Sequence, residues 1–228
     1  MQIVLQRLSP FFLFFILLFP FVFVERGDMV LFFNGLRNPI FDTFFVKASS
    51  LGNAIIVPFV LILVLRFRFK WLAIFILGFL IQVGLVILFK KGFYAGELRP
   101  YLYFYRSGMA DLLHLVDGVK IRYVNTFPSG HTATIFFLVS FFALLSRNKT
   151  ATWVLLFLGL TVGLSRIYLI QHFYVDVYFG IVFGTISSIF AYLIIRKYPK
   201  AWHAKQIRVD LRGIQQSTQD LLRQLFNG

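Results

Sequence analysis

Residues Ser165 to Ile195 read SRIYLIQHFYVDVYFGIVFGTISSIFAYLII. From Val175 onward the stretch is almost wholly apolar and as long as a helix needs to cross the hydrocarbon core of a bilayer, roughly 20 residues. Its head is different: Ser165, Arg166, His172 and Asp176 gather there within a few turns. Ionisable side chains where a helix meets a membrane are costly to place, so they are read as functional. A span opening on a polar cluster thus bears on both the fold and the chemistry.

Five further apolar runs lie upstream, at 9–24, 54–66, 71–89, 131–146 and 151–165. The spacing predicts an all-α protein, an integral membrane bundle of six transmembrane helices over residues 1–196. A basic tail follows over 197–228. Two runs are short of a full span and need flanking residues to extend them. The first has the length of a signal peptide, but Glu25, Arg26, Gly27 and Asp28 follow it with no small-residue cleavage site, so it is read as a helix. In the tail, Ile207, Leu211, Ile214, Leu221, Leu222 and Leu225 recur among basic and amide residues, predicting an amphipathic helix on the inner leaflet. Met109, Leu112, Leu113 and Val116 predict a short interfacial helix.

Composition agrees. Hydrophobic residues make up 59% of the chain and charged residues only 14%, with 31 Phe able to face lipid or fill gaps between helices. The mean hydropathy is +0.79. A net charge of +14 would suggest nucleic acid in a soluble protein. Here the charges lie between apolar runs, so anionic lipid headgroups are the expected partners and nucleic acid is not. Without Cys there are no disulfides and no thiolate metal sites. With the N-terminus inside, the cytoplasmic segments hold 13 of the 23 Lys and Arg but only two acids, Asp210 and Asp220. Both termini are therefore expected to be cytoplasmic.

Three clusters then share the outer side: Lys90, Lys91, Arg99 and Pro100; Pro128, Ser129, Gly130 and His131; Ser165, Arg166, His172 and Asp176. Together they suit a phosphate. Guanidinium forks bind its oxygens in pairs, and an ammonium adds a point charge. Ser129 and Gly130 open a helix, where backbone N–H groups lack partners and the dipole favours an anion. His172 and Asp176, four apart, share a helix face, so the carboxylate can fix the imidazole tautomer and leave the other nitrogen free to attack. His131 can then protonate the leaving oxygen. His114 and His203 are read as structural, and Asp111 and Asp117 as solvated loop charges.

At these residues the chain resembles the type 2 phosphatidic acid phosphatase family, related to the vanadium haloperoxidases. Its pattern is Lys, six residues, Arg-Pro; then Pro-Ser-Gly-His; then Ser-Arg, five residues, His, three residues, Asp. The second and third motifs match completely. The first departs: seven residues separate Lys91 from Arg99, and Gly92 stands where the family has Lys. The resemblance implies that His172 is a nucleophile forming a phosphohistidine, oriented by Asp176, with His131 as general acid and later base. It implies that Lys91, with Lys90 in reserve, and Arg99, Ser129, Gly130 and Arg166 hold the phosphate, and that no metal or other cofactor is needed. The substrate expected is a lipid phosphate, undecaprenyl diphosphate or a phosphatidate-like lipid, met on the extracytoplasmic face. A lipid-to-lipid phosphotransferase is the alternative, and a transporter or scaffold without chemistry a weaker one.

Overall fold

A computed structural model describes residues 1–146 and 148–205. It comprises α1 (Gln2–Leu18, continued by a 3-10 turn Phe19–Phe23), α2 (Asp28–Gly35), α3 (Pro39–Ser50), α4 (Ile56–Val64), α5 (Phe69–Ile87, continued by a π-helical turn Leu88–Phe93), α6 (Pro100–Arg106), α7 (Gly130–Leu145), α8 (Lys149–Tyr168) and α9 (Tyr174–Lys197). The described residues form no strand; a single antiparallel bridge joins Leu98 to Val124.

Four elements are long and apolar enough to cross a membrane: Gln2–Phe23, Phe69–Phe93, Lys149–Tyr168 and Tyr174–Lys197. The chain is a multi-pass helical membrane protein, and side chains such as Ile16, Leu80, Val154, Phe157 and Phe190 turn outward from these helices. α7, at 16 residues, is shorter, but it is the centre of the bundle. It packs against α5, α8 and α9 and buries Phe136, Phe137 and Phe141 completely.

The run expected at 54–66 departs from prediction. α4 has only nine residues, too few to span alone. Helix already runs before it as α3, and the two are separated at Leu51–Ile55. The break has a use: a Cβ on Gly52 would sit 2.9 Å from the His131 carbonyl oxygen, so the glycine lets the chain close over the start of α7. The interfacial helix expected near 109–116 is a single 3-10 turn, Ala110–Leu112. Gly108 and Gly118 bracket it with positive φ, which ends helix on both sides. Residues 198–205 fold back on the start of α5, where the Phe69 amide donates to the Lys205 carbonyl at 3.1 Å. His203 is buried there, its Nδ1 accepting from the Lys200 amide at 3.1 Å, a structural role as expected. The predicted tail helix, with Ile207 to Leu225, lies outside the described residues.

The crossing of α7 and α9 sets the site. Gly180, Gly184 and Ser188 recur every fourth residue on α9. A Cβ at Gly180 would lie 2.9 Å from the Ser129 carbonyl oxygen, and one at Gly184 would overlap the Ala133 carbonyl. Small residues at this spacing let two membrane helices approach to backbone contact, where dispersion replaces the missing hydrophobic drive. Ser188 Oγ closes the row, donating to the Phe137 carbonyl at 2.9 Å.

Candidate active site

The close crossing brings the start of α7 onto the start of α9. The Ser129 amide donates to the Asp176 carbonyl at 2.9 Å. Ser129 caps α7: its Oγ accepts from the Thr132 hydroxyl at 2.9 Å and from the Thr132 amide at 3.4 Å. The Ser129 amide, expected to face a phosphate, is therefore already committed. The amides of Gly130 and His131 are the ones this helix start leaves open.

The end of α8 turns sharply. The Ile170 amide donates to the Ile167 carbonyl at 3.0 Å, and the Gln171 amide to the Arg166 carbonyl at 2.9 Å, the paired bonds of a Schellman stop. Such a stop requires a left-handed residue, usually Gly; here Ile170 takes φ 58°. A β-branched residue in that region is strained by about 1–3 kcal/mol, held by the burial of its side chain. The turn folds Gln171 and His172 back over Arg166, whose carbonyl also accepts from the His172 amide at 3.1 Å.

His172 is thereby buried between an acid and a guanidinium. Its Nδ1 lies 3.4 Å from Asp176 Oδ2, and its Nε2 lies 3.3 Å from Arg99 Nη1. Asp176 Oδ2 also accepts from the Phe173 amide at 2.9 Å and from the Thr126 hydroxyl. The carboxylate is thus locked, and Nδ1–H faces it while Nε2 faces the cations. Burial, then the charges of Arg99, Lys90 and Arg166, push the imidazole pKa well below its usual value. The ring therefore stays neutral at neutral pH.

Arg99 is clamped by carbonyls: Nε donates to Val124 at 2.9 Å, Nη1 to Gln171 at 2.9 Å and Nη2 to Asn125 at 3.2 Å. Three of its five N–H groups go to carbonyls and a fourth, on Nη1, faces His172 Nε2, which leaves one on Nη2 uncommitted. Burial and then Arg122 lower its pKa to about 10, so it remains charged at neutral pH. Arg166 donates to Ser49 Oγ on α3 and to Gln171 Oε1 at 3.4 Å. Its Nε is buried without a partner among the described residues, a donor aimed at nothing in the protein.

The lysine expected in this cluster, Lys91, is exposed and points away. Lys90 turns inward instead, its Nζ donating to the Asn125 and Thr126 carbonyls at 3.0 and 3.3 Å. The π-helical turn Leu88–Phe93 is the cause: a wider turn shifts the register by about one residue, so the extra residues before Arg99 are absorbed in the helix. Asn125, at φ 58°, is the hub, since its carbonyl takes both Lys90 and Arg99. Thr126, Asn125 and Gln171 are site residues the motifs did not disclose. His114 is exposed; its backbone amide donates to Asn34 Oδ1 at 2.8 Å, and Asn34 Nδ2 donates to the Tyr168 carbonyl at 3.2 Å.

His131 lines a cavity of about 260 Å³ with Gly52, Asn53, Gln82 and Gly130. A second, aromatic cavity of about 360 Å³ reaches only Thr126 and Asp176, behind the imidazole. No group of three or more His, Cys, Asp or Glu suited to a metal occurs among the described residues.

Similarity to known proteins agrees with this geometry. Over 177 residues the chain is 28% identical to a lipid A 4'-phosphatase of Bacteroides thetaiotaomicron, covering 75% of this chain and 76% of that protein. Over 185 residues it is 29% identical to a lipid A 4'-phosphatase of Porphyromonas gingivalis, covering 78% and 76%. The crystal structure of Aquifex aeolicus LpxE superposes with a TM-score of 0.63 at 26% identity, covering 77% of this chain and 97% of that one. The family model of the PAP2 superfamily matches residues 71–200, more than half the chain and all three motifs, and the chain belongs to that superfamily.

Proposed function

We propose that this PAP2 phosphatase hydrolyses a phosphate monoester on an acylated lipid of the lipid A type, through a phosphohistidine on His172, at the extracytoplasmic face. Membership of the superfamily and likeness to lipid A 4'-phosphatases over three quarters of the chain make it a membrane lipid-phosphate phosphatase. Of the two substrates expected from sequence, undecaprenyl diphosphate and a phosphatidate-like lipid, the same likeness favours the acylated one.

The observation that carries the chemistry is the two-sided setting of His172, with Asp176 at Nδ1 and Arg99 at Nε2. Nε2 attacks phosphorus, and the bond from phosphorus to the lipid oxygen breaks. His131 gives that oxygen its proton, so the lipid leaves as an alcohol. Arg99, Arg166, Lys90 and the amides of Gly130 and His131 hold the phosphoryl oxygens as charge redistributes. His131, now neutral, takes a proton from water, whose oxygen attacks phosphorus and breaks the P–N bond. Phosphate and free His172 result.

The test is release of inorganic phosphate by purified enzyme, in EDTA, from a lipid A-type monophosphate and from undecaprenyl diphosphate. The expected result is faster release from the acylated substrate, undiminished by EDTA. Loss of phosphate from the lipid without its appearance in solution would indicate phosphotransfer. Faster release from the diphosphate would restore the polyprenyl reading.

A further inference from the structure

Two buried polar side chains of the membrane region, Gln82 and Thr185, lack a partner among the described residues and take no part in the mechanism; of the two, Gln82 lines a cavity. Gln82 lies in the middle of α5 and is 2% exposed. Its Oε1 is buried without a hydrogen-bond partner among the described residues. An unpaired buried polar group of this kind costs about 1–3 kcal/mol, and methionine would occupy the same volume without that cost. Gln82 nevertheless faces the cavity beside His131, whose other walls are largely apolar: Phe79, Val83, Val86 and Ile87.

The position of that cavity suggests what the amide is for. Gln82 precedes Lys90 by eight residues, about 12 Å along a helix, with Val86 between them on the same wall. A lipid whose phosphate lies among Lys90, Arg99 and Arg166 leaves on the side of its proton donor, and this is the cavity that His131 lines. The aromatic cavity meets the site only behind the nucleophile.

We infer that Gln82 is a specificity-determining residue whose Oε1 accepts a hydrogen bond from an amide N–H or hydroxyl of the substrate's acyl chains or headgroup. This rests on the phosphate site assigned above. An acylated lipid whose chains are joined by amides or bear hydroxyls carries such a donor. A polyprenyl phosphate is hydrocarbon from the first carbon after its phosphate and has nothing to offer the amide. Buried polar groups that require a partner discriminate strongly against ligands lacking one.

The test compares wild type with Gln82→Met on two substrates in the same detergent micelles, a lipid A-type monophosphate, whose acyl amides and hydroxyls are donors, and a polyprenyl phosphate. The expected result is a kcat/KM about tenfold lower on the acylated lipid, carried by KM, and unchanged on the polyprenyl lipid. The thermal midpoint should equal or exceed that of wild type, because the unpaired amide is gone. An equal fall on both substrates, or no fall on the acylated one, overturns the assignment. A wild type inactive on both would overturn the phosphate site itself, and the role of Gln82 with it.

Discussion

Lys90 shows how a single residue can escape a motif. The resemblance asks for a lysine at a fixed distance before Arg99, and Lys91 comes nearer to that distance. Neighbouring residues on an α-helix point about 100° apart, so only one of the two can face the site. The π-helical turn selects Lys90, which reaches the Asn125 and Thr126 carbonyls, and leaves Lys91 exposed. Removing a charge-assisted contact from a partly dry phosphate site should cost about 2–4 kcal/mol of transition-state stabilisation, roughly 30- to 1000-fold in rate. Lys90→Ala is therefore expected to lower kcat by that range and Lys91→Ala by less than about threefold. The reverse pattern would show that the register of this turn is wrong. His131, Arg99, Arg166, His172 and Asp176 could be found in the sequence because chemistry limits which residue types can serve and because they stand in the motifs of the resemblance. Thr126 and Gln171 could not, because hydroxyl and amide groups in loops act through positions that only the folded backbone creates.

At the scale of elements, the apolar runs predicted helices wherever a full span was needed, and the exceptions share a cause. The break at Leu51–Ile55 and the stop at Ile170 are both backbone solutions to close packing around α7 and Arg166. Hydropathy averages over such features, and Ile170 gives no turn signal at all, since it stands where glycine usually does. The Gly180, Gly184 and Ser188 row is the element on which the site depends most. Adding a methyl at Gly184 forces α9 away from the Ala133 carbonyl, because neither is a flexible side-chain tip. Overpacking of this kind costs about 1–3 kcal/mol. Gly184→Ala is expected to lower the thermal midpoint and also kcat, since the bond from the Ser129 amide to the Asp176 carbonyl bridges the same crossing. Normal stability with normal turnover would show that the two helix starts are aligned by something else.

Across the whole molecule, charge and apolarity divide the work. Lys90, Arg99, Arg166, His131, His172 and Asp176 collect at one end of the bundle, contributed by four helices and the loops between them. Arg7, Arg66, Arg68, Lys70, Lys149, Arg196 and Lys197 lie toward the opposite end. The concentration of cations at the first end would repel itself without an anion to bind, and Asp176 is the one acid buried among them. That arrangement supports a phosphoryl group passing through His172, and trapping this intermediate tests the account most directly. Purified enzyme mixed with substrate labelled in its phosphate should be quenched in alkali within a single turnover and digested. The expected result is an acid-labile, alkali-stable label on the peptide containing His172, absent in His172→Gln and accumulating in His131→Ala when the leaving group needs no protonation. A label on any other residue, or steady phosphate release with no labelled protein at any time, would contradict it.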